Sequence, residues 1–409
     1  MTRLAYLVSH PIQYQAPLLK RIAAEPGIDL KVFFCSDIST RPYMDPGFKQ
    51  SLQWDIPILD GYEYEFLPAI GGTDRLSFAR PWNFGLAERL ERGSFDALWV
   101  HGWGLLFNWR AIVSAKRRGL RVLVRDEGHE FSVGRSSARR LAKRALFAGL
   151  RRVVDCYLAI GTLNRNYYLS LGVDPFRIVT MPYAVDNRFF QDRCRAASQV
   201  RERFKAELGL DPNRPIVLYV GKLYGRKRPE DLLEAYVRLS KDGSSEPVPY
   251  LLFVGDGDSR KALEVRAASL GWSCIKFVGF KNQTELPAFF DLGDVFVISS
   301  NVEPWGLVVN EAMNAGLPII GGDRVGACAD LVKDGINGLV YPSEDVGELH
   351  RALVKLLADR GLRQRMGRAS LDLINRWSFE EDVLALNQGL ETCHLWLSAT
   401  KVASFGESR

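Results

Sequence analysis

Residues 301–320, NVEPWGLVVNEAMNAGLPII, read as the end of one strand, a tight entry, a single helix and the start of the next strand. Pro304 fixes φ near the helix start without removing a needed hydrogen bond. Gly316 and Pro318 supply the stop. Leu307, Val308, Ala312 and Met313 recur at helical spacing and predict the buried face. Two carboxylates stand out: Glu303 just before the helix, and Glu311 inside it. Taken alone, they are a helix-start acid favoured by the dipole and an exposed helix residue. A helix N-terminus, however, presents unpaired N–H groups that can receive a phosphate. Trp305 to Glu311 spans about 9 Å at ~1.5 Å per residue. One element is therefore long enough to hold a diphosphate at its tip and a sugar hydroxyl partway along.

The strand–helix alternation extends in both directions. IVLYV, YLLFVGDGD, IKFVGF and VFVISS precede the stretch, and PIIGG and GLVYP follow it, before a long helical tail broken near RWSFEED. The first half repeats the pattern with LAYLVSH, IDLKVFFCSD, DALWVHG, RVLVRDE, CYLAIG and RIVTMPY. Short apolar strands between helices predict parallel sheets covered on both faces, an α/β class. The charged stretch 186–214 separates the two runs. The division expected is a domain over 1–190, a second over 191–375, and a helical tail over 376–409 packing back towards the first. Ser39–Ala79, rich in aromatics, Pro and Gly with short strand-like pieces (SLQWDIP, YEYEFLP), reads as an insertion carrying loops over the first domain's face. Two such units, with ligand sites at the carboxyl ends of their strands, predict a cleft between them.

Composition is that of a soluble globular protein: 409 residues, 47% hydrophobic and 25% charged. No apolar run reaches the ~18 residues of a membrane span. The start, MTRLAYLVSHPIQY, lacks signal-peptide features and reads as a first buried strand. Six scattered cysteines without a CxxC pair argue for a reducing, cytoplasmic compartment and against structural zinc. The net charge of +6 is uneven: residues 1–190 hold 26 Lys/Arg against 18 Asp/Glu, which is +8 and leaves −2 for the rest. Much of the excess lies in RSSARRLAKRALFAGLRR, 135–152, with seven basic residues and no acidic one. Two readings stay open: a basic helix on an anionic membrane surface, or a solvated face. No recognised nucleic-acid motif accompanies it, so no nucleic acid is expected as a partner.

Strand IVLYV runs into GKLYGRKRPEDLLEAY, where Lys222 and Lys227 flank a loop before a helix; two cations there can neutralise a diphosphate. The loop is not GxxxxGK[ST], and the first strand is not followed by GxGxxG, so neither a P-loop nor a dinucleotide fingerprint is supported. GKLYGRKRPEDLLEAY, VGDGDSR, FVGFKNQTELPAFFDLGDVFVISS, EPWGLVVNEAMNAGLPII and DLVKDGINGLVYP occur in one order. This series resembles the donor half of the retaining glycosyltransferases of family four, which have the GT-B fold of two Rossmann-like domains. The likeness covers about residues 155–385, beginning with AIGTLNRNYYLSLGVDPFRIVTMPYAVD, and its most specific element is the Glu-x(seven)-Glu signature of Glu303 and Glu311. It implies that Lys222 and Lys227 bind the donor diphosphate, assisted by the N–H groups of Gly306 and Leu307. It further implies that Glu311 holds the ribose, that Glu303 sits beside the donor sugar, and that Phe280 lies near the base. Lys222 stands where the family often has Arg, replacing a bidentate contact with a point charge.

The first half matches less well, as an acceptor-side domain would. Where many relatives carry a Gly-Gly-Val/Ile-Gln loop, this chain has His10-Pro11-Ile12-Gln13. LWVHGWG, with His101, resembles a His-containing strand end of the family. RVLVRDEGHEF occupies the place of a strand that ordinarily ends in a functional His; Glu127 falls there, with His129 as its rival. His10 and His101 can equally be hydrogen-bonded core-edge residues. Asp256-Gly-Asp258 imitates a metal-binding pair but reads as a capped turn. Trp82, Trp103, Trp109 and Trp305 can stack on sugars, yet Trp is more often core.

The resemblance implies a hexosyltransferase that needs no metal or other cofactor. Its partners are a nucleotide-diphosphate sugar and a saccharide or lipid-linked acceptor, at the inner face of the membrane in envelope or exopolysaccharide assembly. The rival readings are a nucleotide-sugar epimerase or hydrolase of the same fold, and a non-catalytic sugar-nucleotide-binding subunit.

Overall fold

Strand Ile216–Val220, IVLYV, is buried along its whole length, as a strand with helices over both faces requires. It lies inside a six-stranded parallel sheet in a computed structural model of the chain. The structure describes the backbone of all residues except 46, 49, 130, 132–136, 242, 244–246 and 407–409, and side chains apart from these and 137–140, 142 and 393–406. The basic stretch 135–152 therefore falls partly outside the described residues; helix Ser137–Leu150 covers most of the rest, with Arg151 and Arg152 in the turn that follows.

Two compact units make up the chain. The first comprises Met1–Tyr43, Pro57–Tyr183 and the C-terminal segment from Phe379; the second comprises Met44–Ile56 and Ala184–Ser378. The first unit's sheet runs Ile178–Thr180, Cys156–Ala159, Arg121–Asp126, Ala97–His101, Thr2–Val8, Ile28–Phe34, Glu63–Phe66. The second runs Ile275–Phe277, Tyr250–Val254, Ile216–Val220, Val295–Ile298, Ile319–Gly322, Gly338–Tyr341. All the registered pairings within both sheets are parallel. Numbered within its own sheet, each shares the order 3-2-1-4-5-6, the doubly wound arrangement whose ligand crevice opens where the order reverses, at the carboxyl ends of strands 1 and 4. These are the two Rossmann-like lobes of the GT-B architecture.

In the insertion Ser39–Ala79 the strand-like piece SLQWDIP overlaps the strand Gln50–Leu52, and YEYEFLP holds the strand Glu63–Phe66. Glu63–Phe66 pairs in parallel with Lys31–Phe34 and forms the edge strand of the first sheet, a place in the domain core beyond the loops expected over its face. Residues 44–56 of the same insertion belong to the second unit.

The C-terminal helix, Phe379–Gly406, is core to the first unit. Val383, Ala385, Leu386 and Leu390 pack with Leu123, Cys156, Leu158 and Met181. Asp382 and Arg125, both fully enclosed, pair at 3.1 Å. Arg125 also donates to the carbonyls of Met181 (2.9 Å) and Pro182 (2.8 Å), so the charge is hydrogen-bonded as well as paired. No helix among the described residues is long and apolar enough to cross a membrane.

Candidate functional site

In the second unit the crevice lies after Ile216–Val220 and Val295–Ile298, and both lysines and Glu303 stand there. The fully buried Tyr219 hydroxyl donates to the Lys222 carbonyl at 3.0 Å and pins the loop. Lys227 closes a short turn, Gly225–Lys227. Ser299, at the end of strand 4, donates to the carbonyls of Lys227 (3.0 Å) and Arg228 (2.8 Å), tying that turn across the crevice. The Lys227 ammonium donates to Glu303 Oε2, and both side chains are largely covered, 19% and 12% exposed. Ser300 adds a contact to the same oxygen at 3.4 Å.

The opening stretch folds as a helix over Leu307–Asn314, entered through Gly306 at φ 95°, a left-handed conformation that explains glycine at this position. Among the described residues no side chain caps this N-terminus, so its first N–H groups are not taken by a cap. The burial pattern departs from the expected face. Leu307 and Val308 are half-buried, while Val309, Asn310, Glu311, Ala312, Met313 and Asn314 are buried. Glu311 is thus no exposed helix residue: burial pushes its carboxyl up to about 7, opposed by a hydrogen bond from Gln283. Phe280 is half-buried and meets Phe48 edge-to-face at 4.8 Å. Lys222 donates to both oxygens of Asp45, at 2.9 and 3.2 Å.

Asp256 accepts from the Gly257 N–H (2.8 Å) and pairs with Arg260 (2.6 Å), the work of a turn. Among the described residues no group of three or more His, Cys, Asp or Glu is arranged to hold a metal. Trp305 is buried, stacks on Trp377 at 5.6 Å and donates to Asn310, which is core packing.

In the first unit the reversal lies between Thr2–Val8 and Ala97–His101, and a polar network occupies it. Tyr6 donates to Gln15 Oε1 (3.0 Å), and the Gln15 amide meets His101 Nε2 (3.0 Å). Burial and the Arg125 charge bring His101 down to about 3, so its imidazole is neutral and Nε2 accepts from the amide. His10 is brought down by burial to about 4, and its Nδ1 meets the neighbouring Ser9 hydroxyl at 2.8 Å. Glu127 is exposed and accepts at Oε1 from two phenols, Tyr183 (2.7 Å) and Tyr14 (3.2 Å). Burial and the Glu127 charge hold both phenols protonated, hence donors. His129 is enclosed, its ring 6.0 Å from that of Phe131. Gln13 is half-buried on the same loop, outside the Tyr6–Gln15–His101 chain.

Asp45, Gln283, Tyr14, Gln15 and Tyr183 were not singled out by the sequence. Tyr183 lay inside the quoted MPYAVD, and Gln283 inside FKNQTELP, so a motif signal existed for these two. Asp45 reaches Lys222 across 177 positions, and no local pattern announces that.

Residues 200–372, inside the second unit, match the family glycosyl transferases group 1. An alpha-D-kanosaminyltransferase of Streptomyces kanamyceticus is 32% identical over 192 residues, 46% of this chain and 47% of that protein. The lipopolysaccharide core biosynthesis glycosyltransferase LpsE of Rhizobium meliloti is 33% identical over 178 residues, 43% and 49% respectively. The chain thus spans about half the length of these curated relatives. Among solved structures, Anabaena HepE in complex with UDP and glucose superposes with a TM-score of 0.70 at 15% identity, covering 96% of this chain and 100% of that one. The lipopolysaccharide outer core galactosyltransferase WaaB does so at 0.67 and 15%, covering 96% and 99%. At such identities the likeness carries the fold.

Proposed function

We propose that this protein is a retaining glycosyltransferase of family four, moving a hexosyl unit from a nucleoside-diphosphate sugar to a saccharide or lipid-linked acceptor. The observation that carries the reading is the grouping of Lys222, Lys227, Glu303 and the uncapped helix N-terminus at Gly306 around one strand-order reversal. In such a transfer the anomeric C–O bond to the diphosphate breaks while the acceptor hydroxyl oxygen bonds to the same carbon from the same face. The hydroxyl proton passes to the leaving phosphate, on which negative charge gathers. Lys222, Lys227 and the helix N-terminus supply the positive charge that stabilises it. Glu311, buried one helical turn further along, accepts from the ribose hydroxyls, and Phe280 lies against the base. Glu303 serves the donor sugar. In the first unit Glu127, exposed and held by two tyrosines, is the better candidate than the enclosed His129 for contact with substrate. An envelope saccharide acceptor draws support from what LpsE is named for.

The test is a transfer assay with UDP-, GDP-, ADP- and dTDP-sugars against a panel of envelope glycolipids, with Glu303→Ala and Lys227→Ala alongside. Transfer by the parent with inversion at the anomeric carbon would remove the retaining assignment. Near-normal turnover in both variants would remove the site. Acceptor-free epimerisation or stoichiometric hydrolysis would replace transfer with a different reaction.

A further inference from the structure

The donor reading gives Lys222 to a diphosphate, yet Lys222 already has an anionic partner inside the second unit. Asp45 chelates its ammonium with both carboxylate oxygens, at 2.9 and 3.2 Å. That carboxylate is nearly covered, 12% exposed, and Oδ1 is fixed by the N–H groups of Gly47 and Phe48, each at 2.8 Å. The ammonium also lies 4.7 Å over the Phe48 ring, and that ring rests on Phe280. The approach is so close that a Cβ on Gly47 would fall 2.6 Å from Lys222 Nζ. Further along, the Asn282 amide donates to the Gln53 carbonyl (2.6 Å), and the Thr284 N–H to Asp55 (3.1 Å). The contacts fall on the residues assigned to the donor's phosphates and base, or on their immediate neighbours.

The charges are balanced. Lys222 pairs with Asp45 and Lys227 with Glu303, so two cations face two carboxylates. A nucleoside diphosphate brings at least two negative charges to a set that is already neutral. Glu303 is built into the crevice by its backbone, its N–H on the Arg324 carbonyl (3.1 Å) and its own carbonyl on the Gly326 N–H (3.0 Å). Asp45 instead belongs to the inserted segment, which reaches the crevice by side-chain and turn contacts.

We propose that Asp45 is an internal counter-ion that the donor's diphosphate displaces from Lys222, so that residues around Asp45 and Phe48 restrain donor entry. The proposal rests on the donor reading above. Exchange of one anion for another on a single ammonium makes donor binding weaker than two free lysines would give, and makes the shortfall electrostatic.

Asp45→Asn isolates the effect, because the amide oxygen can still accept from Gly47 and Phe48. Calorimetric titration of the full chain with UDP, GDP, ADP and dTDP is expected to show the preferred nucleotide binding about tenfold more tightly to the variant at low salt, with the gain shrinking at high salt. Phe48→Ala, which loosens the same turn while leaving the carboxylate, should give a smaller gain. Equal or weaker binding to Asp45→Asn overturns the counter-ion role while leaving the donor reading standing. Binding of none of the four nucleotides to parent or variant overturns the donor reading and this proposal with it.

Discussion

Lys227 and Glu303 form an ion pair across the crevice of the second sheet, one contributed by the turn after strand 1 and the other by the loop after strand 4. Neither carboxylate nor ammonium is free to wander, because Ser299 and Ser300 hold the turn and the acid. We predict that Lys227→Met and Glu303→Gln each lower kcat about 10²–10³-fold, the usual cost of losing one preorganised charge at a transition state. Stability should follow a different order. Each single change leaves one half-enclosed charge without its partner, whereas the double change removes both. Thermal melts should therefore rank the double variant above at least one single; strict additivity would show that the pair contributes nothing beyond its separate charges.

If the proposed donor site holds, Glu311 should make nucleotide affinity fall as pH falls. Its carboxyl is pushed up to about 7 by burial. In the proposed donor site a ribose hydroxyl would donate to the ionised form, so binding would favour loss of the proton. Affinity for the nucleoside diphosphate should then fall about tenfold from pH 8 to pH 6, and Glu311→Gln should flatten the profile. Stability moves the other way. The folded value lies above the ordinary 4.5, so the contribution is fully present below about pH 4.5 and is lost as pH rises through about 7. At pH 8 Glu311→Gln should be more stable than the parent, by on the order of 3 kcal/mol. Identical denaturation midpoints at pH 8 would contradict this.

The placement of Lys222 and Glu303 at the strand-order reversal was legible because each sits a few positions from a strand end, and strand ends are marked by apolar runs stopping at Gly or Ser. Lys222 follows IVLYVG, and Glu303 follows VFVISSNV. The burial of Glu311 was not legible, since an acid on a helix next to Met and Ala is ordinarily read as solvent-facing. The strand Glu63–Phe66 was legible as the strand-like piece YEYEFLP, but its place at the edge of the first sheet was not, since EYEF alternates charge and aromatic and marks no partner strand. Long-range partners were the hardest: Lys222 with Asp45, and Arg125 with Asp382, are joined only by the folded topology.

The two phenols on Glu127 Oε1 give a third prediction. Tyr183 donates at 2.7 Å and Tyr14 at 3.2 Å, and their rings meet edge-to-face at 5.7 Å. Tyr183 is itself covered by the Arg125 guanidinium at 4.4 Å, so the acid is backed by a fixed layer. Removing one hydroxyl frees the carboxylate to rotate without opening a cavity. Tyr183→Phe should lower kcat about tenfold, with Tyr14→Phe smaller because its bond is longer, and with melting temperature changed by a few degrees at most. Glu127→Gln, which can still accept but carries no charge, separates charge from placement. If Tyr183→Phe matches the parent in turnover, Glu127 needs no such support.

The last prediction concerns the C-terminal helix. Asp382 and Arg125 are a fully enclosed pair, and burial raises the Asp382 carboxyl to about 7 despite the neighbouring guanidinium. Arg125 is additionally committed to the carbonyls of Met181 and Pro182, directly before Tyr183. Asp382→Ala leaves a buried guanidinium uncompensated and should cost about 3–5 kcal/mol. Because Arg125 also underlies the Tyr183 ring, the loss should reach catalysis: kcat should fall by more than in a helix-face variant of equal melting temperature, such as Leu386→Ala. An Asp382→Ala protein that melts within ~1 °C of the parent, a shift of no more than about 1 kcal/mol, would show that the pair is dispensable for holding the C-terminal helix in the first unit's core.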